Sequence, residues 1–365
     1  MKLVYISSSI LFSGSANSLH VMKMANSLSK NVNNVTLVVR GVLNKENYYE
    51  YYDVTQNFKV INFNVYKHKI LAPFMYMSKV FINFYKLTKE QDTYFFGRDL
   101  LSLAGLSLFT RNIAIEVHDI PKSLIKKFIL KKAVKYNKFK KVVVITDSLK
   151  RDLINLTKIE ENRIIVLHDG SDIHSFSKFE DKNQIGYIGS VNRGRGIELI
   201  VELATIHSDK KFHIVGGTEN DLRNKLEIDM IPKNLICHGY LSQKKVKTLV
   251  EKFYVVLAPY QEKVGVVKKG IDTSRWMSPI KLFEYMSYGK AIIVSDLPVL
   301  KEVIRDNFNG LIANPSDIEE WSRKIDLLYK DESTHAEIKS NAYNTLVENY
   351  TWDKRAVSII EEVQN

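Results

Sequence analysis

The segment 278–296 reads as a polar turn, a short apolar helix and an apolar strand in immediate succession. Pro279 suits the first position of a helix with Ser278 as its N-cap, and Gly289 suits the residue that ends it. The strand that follows, residues 291–294, has no polar position, which is typical of a strand covered on both faces. This segment therefore predicts a parallel sheet layered with helices.

Short apolar strands alternate with helices along the chain, and the alternation starts twice. The first series begins with strand 2–7, a turn around Gly14 and a helix, and the second begins with strand 184–188 after a polar segment. This order predicts an α/β fold of two Rossmann-like, doubly wound domains. The predicted limits are 1–172 for the first domain, 173–183 for the linker and 184–350 for the second domain.

The distribution of charge also divides the chain. Its formal net charge is +12 over 365 residues. Residues 1–175 hold 26 of the 53 Lys and Arg residues but only 14 of the 41 Asp and Glu residues, so the basic excess lies in the first half. This asymmetry predicts that the two domains have different binding partners.

The cysteine count and the N-terminal sequence indicate the cellular compartment in which we expect the protein. Cys237 is the single cysteine, which excludes an internal disulfide and fits a reducing, cytoplasmic setting. No apolar run approaches the roughly 18 residues of a membrane-spanning helix. A secretory signal peptide is the alternative for residues 1–16, but serines interrupt the apolar run, so we expect a buried first strand.

Two turns of the second domain have the composition of anion-binding sites. Loop 189–196 contains three glycines, which let backbone N–H groups approach a ligand, and Arg193 and Arg195 add charge. Lys281 lies at the start of a helix, where the dipole favours an anion. The alternatives are a solvated loop for the arginines and, for Lys281, a local i to i+3 pair with Glu284.

Three further residues are candidates for contact with a small substrate. Glu284 lies one turn beyond the second anion site, where a carboxylate would suit the adjacent hydroxyls of a ribose. Gly14 and His118 follow strands of the first domain and are expected at one edge of its sheet. His118 would be a polar contact or a proton donor, with a partly buried structural histidine as the alternative.

The segment 122–141 is rich in lysine, interleaved with apolar residues and free of acids. Basic amphipathic segments bind anionic membrane surfaces, and we expect that partner here, with an ordinary solvated helix as the alternative. Nucleic acid is less favoured because no nucleic-acid-binding motif accompanies the charge. The candidate membrane-side or acceptor-side residues are Lys126, Lys127, Lys131 and Lys132.

Several catalytic motifs are absent from the sequence. It contains no Asp-x-Asp, no His-Glu-x-x-His and no phosphate-binding Gly-x-x-x-x-Gly-Lys-Ser/Thr. One cysteine is too few for a zinc ribbon. We therefore expect no metal and no cofactor.

Several motifs together carry a family resemblance. They are Ser-Pro-Ile-Lys-Leu-Phe-Glu-Tyr-Met at 278–286, Gly289-Lys290, Asp296-Leu297-Pro298, Glu302-Val303-Ile304, Gly14, Glu116-Val117-His118-Asp119, 145–148, 169–172 and Arg195-Gly196. With these motifs the chain resembles family 4 of the retaining glycosyltransferases. That resemblance implies the GT-B fold, in which two Rossmann-like domains face each other across a cleft, with the C-terminal helix 351–365 completing the first domain.

The resemblance also implies roles for matching residues. Glu284 resembles the acid that holds the nucleotide ribose, Arg195 the cation on the donor diphosphate, and His118 the residue that contacts the transferred sugar. The implied catalytic residues are His118, Arg195 and Glu284. The implied donor-binding residues are Gly14, Ser190, Arg193, Arg195, Ser278, Pro279, Ile280, Lys281 and Glu284.

Two positions depart from the family pattern. Trp276 stands where the family has a second glutamate, which bears on recognition of the donor sugar. Ser190 stands where an arginine is usual, which leaves Arg195, with Arg193 or Lys281, to neutralise the leaving diphosphate. Such neutralisation lowers the barrier without a metal.

We therefore expect a retaining glycosyltransferase that moves a sugar from a nucleotide-sugar to a lipid-linked or growing surface glycan, of the capsule, O-antigen or lipopolysaccharide type. The expected location is cytoplasmic, on the inner face of the membrane. The alternatives are a GT-B epimerase or phosphorylase, which product analysis with donor alone would separate, and a non-enzymatic glycan-binding protein.

Overall fold

The computed structural model describes residues 1–13, 15–41, 47–65, 71–136, 138–176, 180–263 and 274–364. These residues form two compact units. Unit 1 consists of Met1–Asp169 and Trp352–Asn365, and unit 2 consists of Gly170–Thr351. The chain therefore leaves unit 1, builds unit 2 and returns for its last helix.

Unit 1 is built on a parallel sheet with helices between its strands. The strands are β1 (Lys2–Ile6), β2 (Asn34–Arg40), β3 (Lys59–Phe63), β4 (Thr93–Gly97), β5 (Ile113–Val117), β6 (Lys141–Val144) and β7 (Ile164–Val166). The helices are α1 (Ala16–Asn31), α2 (Tyr48–Tyr51), α3 (Ala72–Phe84), α4 (Leu100–Leu106), α5 (Leu124–Lys135), α6 (Asp147–Thr157) and, at the C-terminus, α14 (Trp352–Gln364).

The strand order in this sheet is β3-β2-β1-β4-β5-β6-β7. The winding reverses between β1 and β4, so the loops that follow these two strands leave on opposite faces and open a crevice. Gly97 ends β4 with φ of 152°, and a Cβ at this position would lie 2.0 Å from the carbonyl oxygen of Ile6. A side chain at Gly97 would therefore separate β4 from β1.

Unit 2 repeats the same plan. Its strands are β8 (Asp181–Ile188), β9 (Lys211–Val215), β10 (Leu235–Cys237), β11 (Phe253–Ala258), β12 (Ala291–Ser295) and β13 (Leu311–Ala313). Its helices are α7 (Ile197–Ile206), α8 (Glu219–Leu226), α9 (Gln243–Lys252), α10 (Ile280–Ser287), α11 (Pro298–Lys301), α12 (Ile318–Lys330) and α13 (Glu332–Asn349).

The second sheet has the order β10-β9-β8-β11-β12-β13, and its pairs are parallel. Its winding reverses between β8 and β11. The neighbouring strands β11 and β12 are buried at every position, which agrees with the apolar run that predicted β12 as a covered parallel strand. Apolar clusters on both faces of this sheet hold the helices in place.

Two predicted boundaries differ from the structure. Pro279, not Ser278, occupies the N-cap of α10, and no side chain caps that helix. Strand β8 begins at Asp181, so residues 181–183 of the predicted linker pair within the sheet. Within the described ranges, no helix is both long enough and apolar enough to cross a membrane.

A histidine pair lies within unit 2 and makes its stability depend on pH. Nδ1 of His213 on β9 lies 2.9 Å from Nε2 of His238, so one ring donates to the other. Burial, followed by the neighbouring His238, lowers the pKa of His213 to about 4. Burial also lowers the pKa of His238. The folded pair is therefore neutral at pH 7.

This pair predicts a loss of stability in acid. The pKa of His213 is lower in the folded state than the unperturbed value, so the unfolded chain binds more protons between about pH 6.5 and 4. The free energy of unfolding should therefore fall as pH falls through this range, by roughly 1–3 kcal/mol from this residue. Urea unfolding at pH 7.5 and pH 5.0 measures the loss. His213→Gln should lose less stability than the parent over that interval, and equal losses would contradict the assignment.

Candidate functional site

In unit 2, the loop between β8 and α7 lies at the reversal point of the sheet. Gly196 has φ of 73°, and a Cβ there would lie 1.8 Å from the carbonyl oxygen of Pro259. The backbone N–H of Gln261 donates to the carbonyl oxygen of Gly194 at 2.9 Å. The glycines therefore bring this loop against the segment that follows β11, where α/β sheets bind ligands.

Arg195 lies on this loop and faces an aromatic ring. Its guanidinium carbon lies 5.2 Å from the ring centroid of Tyr260, and its Nε is buried without a hydrogen-bond partner among the described residues. Burial raises the pKa of Tyr260, the charge of Arg195 opposes that rise, and the charge of Glu284 adds to it. Arg195 and Glu284 therefore both act on Tyr260, so the structure places them in one neighbourhood.

Helix α10 carries the acid of this group. The backbone N–H of Ile188 donates to Oη of Tyr285 at 2.6 Å, which fixes the buried face of α10 to the end of β8. Lys281 Nζ lies 2.5 Å from Oε2 of Glu284. The local i to i+3 pair that was the alternative interpretation is therefore present. Oε1 of Glu284 makes no hydrogen bond to another described residue, so one carboxylate oxygen remains available as an acceptor.

The other predicted donor-binding residues of unit 2 have varied surroundings. Arg193 Nη2 donates to Oε1 of Glu227 at 2.7 Å, and both side chains are largely exposed. Oγ of Ser190 accepts a hydrogen bond from the side chain of Asn192 at 3.0 Å. Arg193 therefore has a surface ion-pair partner, whereas Arg195 has no ion-pair partner in the part of the chain that the structure describes. Ser278 and Pro279 precede α10, and Ile280 is its buried first residue.

In unit 1, His118 follows β5 and its side chain is 19% exposed. Its Nε2 contacts Oε1 of Glu116, which is buried on β5. An ionised carboxylate only accepts hydrogen bonds, so the Nε2 of His118 carries the proton and Nδ1 is left as an acceptor. Nδ1 makes no hydrogen bond to any other described residue. His118 therefore keeps one ring nitrogen that can accept a hydrogen bond from a ligand.

Glu116 is held by two further groups. Arg355 Nη2 on α14 donates to its Oε1 at 3.0 Å, and His20 Nε2 on α1 lies 3.2 Å from the same oxygen. His20 Nδ1 in turn lies 2.9 Å from Oδ1 of Asp169. Arg355 also donates from Nε to the carbonyl oxygen of His168 at 2.9 Å. The buried carboxylate of Glu116 is therefore joined to α14 through Arg355 and to α1 through His20, and His20 in turn links it to Asp169.

The electrostatics of this cluster fix its protonation. Burial raises the pKa of Glu116, but the charges of Arg355, His20 and His118 outweigh burial and hold that pKa well below its usual range. Burial, with the charge of Arg98 as the second cause, lowers the pKa of His118 to about 4. Glu116 is therefore ionised and His118 neutral at pH 7.

The ligand atoms of His20, Glu116 and His118 lie within 4.8 Å of one another, a spacing that a metal ion could bridge. Arg355 already donates to Oε1 of Glu116. A guanidinium at that oxygen repels a cation, so the donor set fits an ion-pair network better than a metal centre.

The remaining predicted residues lie elsewhere. Gly14 lies outside the described residues. Leu124 and Ile125 on α5 are 81% and 68% exposed, next to lysines of the predicted membrane surface. Of those lysines, Lys126, Lys131 and Lys132 are exposed and Lys127 is partly buried.

Sequence reasoning did not assign roles to several residues that the structure brings to these sites. Tyr260, His20 and Arg355 are the principal ones. Tyr260 follows an apolar strand at the sheet edge, a position that could have drawn attention to it. No local signal marks Arg355, because its partner Glu116 lies 239 residues away.

Comparison with known proteins places this geometry in context. The family described as glycosyl transferases group 1 matches residues 170–345, which cover most of unit 2. A poly(ribitol-phosphate) alpha-N-acetylglucosaminyltransferase of Staphylococcus aureus is 25% identical over 247 residues, which cover 64% of this chain and 46% of that protein. These matches support the glycosyltransferase superfamily.

A second relative is the N,N'-diacetylbacillosaminyl-diphospho-undecaprenol alpha-1,3-N-acetylgalactosaminyltransferase of Campylobacter jejuni. It is 24% identical over 148 residues, which cover 40% of this chain and 36% of that protein. The chain spans about half or less of the length of these two relatives.

Solved structures show the fold. The crystal structure of TarM superposes with a TM-score of 0.73 at 13% identity, covering 100% of this chain and 99% of that one. Anabaena Alr3699/HepE in complex with UDP gives a TM-score of 0.73 at 12% identity, with both chains covered completely. The prediction of two Rossmann-like sheets in a GT-B fold is therefore confirmed.

The buried network of unit 1 predicts a specific double-mutant cycle. Arg355→Met should lower the free energy of unfolding by about 3–5 kcal/mol, because it removes the guanidinium that balances the buried charge of Glu116. The double variant Glu116→Gln, Arg355→Met should cost less than the sum of the two single changes. Urea unfolding of the four proteins measures both quantities. Additive costs would show that the two side chains are energetically independent.

Proposed function

We propose that the protein is a retaining glycosyltransferase that moves a sugar from a nucleotide-diphosphate-sugar to a lipid-linked or growing surface-glycan acceptor without a metal ion. The observation that carries the proposal is the grouping of Arg195, Tyr260 and Glu284 at the reversal point of the second sheet. This grouping lies within the segment that matches the group 1 family.

Each member of this group suits one part of such a donor. Arg195, whose Nε is buried without a hydrogen-bond partner among the described residues, is an anion ligand for the diphosphate. Glu284 Oε1 is an acceptor for a ribose hydroxyl. The N-terminus of α7 begins directly after Arg195 at Gly196, so its dipole adds to the positive potential.

The chemistry follows from these charges. Cleavage of the bond between the anomeric carbon and the diphosphate leaves negative charge on the leaving oxygens. Arg195, Lys281 and the helix N-termini stabilise that charge in the transition state, which lowers the barrier. In a retaining reaction the acceptor attacks from the face that the diphosphate leaves, and the leaving diphosphate takes the acceptor proton. His118 would hold a hydroxyl of the transferred sugar through Nδ1.

The acceptor class is part of this proposal. The names of two relatives specify acceptors that carry phosphate, a ribitol-phosphate polymer and a diphospho-undecaprenol. We propose an acceptor of the same chemical class, a glycan or sugar attached to a phosphate-bearing polymer or lipid. The basic excess of residues 1–175 supports a negatively charged partner for unit 1.

Donor binding tests the proposal with a matched pair of variants. Arg195→Gln should weaken binding of the accepted nucleotide-sugar roughly tenfold or more, since it removes a charge-assisted contact to the diphosphate. Arg193→Gln, on the same loop but paired with Glu227, should change affinity less than about threefold. A thermal-shift panel of nucleotide-sugars followed by calorimetry gives both values. Unchanged affinity and unchanged transfer in Arg195→Gln would refute the proposal.

We further propose that α5 rests on an anionic membrane surface at the cytoplasmic face. Its inner face packs on unit 1 through Leu130, Ala133 and Val134, whereas Leu124, Ile125 and Phe128 are exposed. Lys132 lies over the ring of Phe128 at 5.4 Å from the centroid. Exposed apolar residues beside lysines that form no ion pair with the described residues match the chemistry of an anionic bilayer surface.

Vesicle binding tests this surface. The triple change Lys126→Gln, Lys131→Gln, Lys132→Gln should weaken binding to phosphatidylglycerol vesicles, at about 1 kcal/mol per lysine at low salt. The parent and both triple variants should bind weakly to phosphatidylcholine vesicles. The matched control, Lys244→Gln, Lys245→Gln, Lys247→Gln on α9, removes the same charge from unit 2. Sedimentation with vesicles measures the difference, and equal effects of the two triples would exclude α5 as the docking element.

A further inference from the structure

Two arginines of unit 1 each keep a buried side-chain nitrogen that has no hydrogen-bond partner among the described residues. Nη1 of Arg98 and Nε of Arg40 are buried and make no hydrogen bond to any described residue. Neither side chain forms an ion pair within the described ranges. A guanidinium stays charged at every physiological pH and presents its donors in a fixed fork. Buried donors without acceptors are rare in folded proteins and call for an explanation.

Both arginines lie at the carboxyl edge of the first sheet. Arg98 directly follows β4, and its backbone N–H donates to the carbonyl oxygen of Ile6 at 2.9 Å. Arg40 ends β2, and its backbone N–H donates to the carbonyl oxygen of Ser9 at 3.2 Å. The end of β1 thus lies between them, at the point where the winding reverses. Doubly wound sheets bind their ligands at this point.

The same edge supplies neutral hydrogen-bonding groups. The hydroxyl oxygens of Ser7 and Ser9, just after β1, are 2.7 Å apart. His118 follows β5, the strand beside β4, and the charge of Arg98 contributes after burial to the low pKa of His118. Arg98 therefore lies close to the histidine that resembles the sugar-contacting residue of the family.

We propose that Arg98 and Arg40, with the serines after β1, form a phosphate-binding site at the reversal point of the first sheet. The guanidinium fork matches the oxygens of a phosphate group, and the buried N–H donors of both arginines gain acceptors when the group binds. This inference rests on the proposed function, because it identifies unit 1 as the part that recognises a phosphate-bearing substrate. The phosphate comes from the acceptor or from the donor diphosphate, and kinetics distinguish the two sources.

Direct binding tests the site without reference to turnover. Pyrophosphate is titrated calorimetrically into the full chain carrying Arg195→Gln, which removes the arginine proposed to bind phosphate in unit 2. One binding event should remain, and adding Arg98→Gln or Arg40→Gln should weaken it roughly tenfold or more. Adding Arg98→Lys should weaken it less, because the charge remains while the fork is lost.

The control is Arg111→Gln, an exposed arginine before β5 at the opposite end of the sheet. It removes the same charge from unit 1 and should leave pyrophosphate affinity within about twofold. Equal losses in the Arg98 and Arg111 variants, or no loss in the Arg98 variant, would overturn the proposal. Near-ultraviolet circular dichroism confirms that each variant is folded.

Kinetics then assign the source of the phosphate. If the acceptor supplies it, Arg98→Gln raises the KM for the acceptor with the KM for the donor little changed. If the donor supplies it, the KM for the donor rises instead. If neither the KM for the acceptor nor the KM for the donor differs between the parent and Arg98→Gln, the proposed site is overturned. Absence of any transfer by the parent would refute the proposed function, while the calorimetric result would still decide whether the phosphate site exists.

Discussion

The reversal of winding in each sheet is the constraint on which the rest of the structure depends. Between β1 and β4, and again between β8 and β11, neighbouring parallel strands send their connections to opposite faces. The carboxyl ends of these strands stay uncovered by crossover helices, so charged residues there remain accessible to a ligand. Arg98 in unit 1 and Arg195 in unit 2 both occupy this position, and in the described part of the chain both keep a buried nitrogen without a hydrogen-bond partner. Two sheets built alike thus each place an arginine with one unsatisfied donor at the same topological point.

The two units differ in which residues pair with the carboxylate of the candidate site. In unit 2 the acid of the candidate site, Glu284, is satisfied locally by Lys281 one helical turn away. In unit 1 the acid Glu116 contacts residues from α1 and α14 through Oε1, and the same oxygen holds the proton of His118 on Nε2. The first arrangement leaves a carboxylate oxygen for a ligand. The second orients a histidine and leaves no carboxylate oxygen exposed.

Local pattern accounts for most of the fold and for part of the sites. Apolar runs bounded by turn residues predicted β1, β8 and β12, and the comparisons confirm the GT-B fold. Helix α4 was missed because its sequence is almost wholly apolar and shows no polar face, and α9 because it is short and rich in lysine. Loop 189–196 and α10 were found because glycine, arginine and helix-start residues are adjacent in sequence.

The sequence pattern could not predict which charged residues, far apart in the sequence, come into contact in the fold. No local signal indicated that Arg355 would contact Glu116. Nothing in the local sequence separates Arg193, which forms an ion pair, from Arg195 and Arg98, which form none with the described residues. The pairing of Lys281 with Glu284 was recognised as an alternative because three residues on a helix bring two side chains to the same face. Contacts between residues far apart in the sequence depend on tertiary packing, which short sequence motifs do not encode.

The return of the chain to unit 1 has a consequence for biosynthesis. Arg355 follows Glu116 by 239 residues, and the whole of unit 2 is translated between them. At usual rates of synthesis this interval lasts roughly 10–50 s. During that time the carboxylate of Glu116 lacks its arginine, and α1 lacks the helix that packs against it. The first half of the nascent protein therefore reaches its final interior only after α14 has been synthesised, so a truncation before Trp352 should destabilise unit 1 more than unit 2.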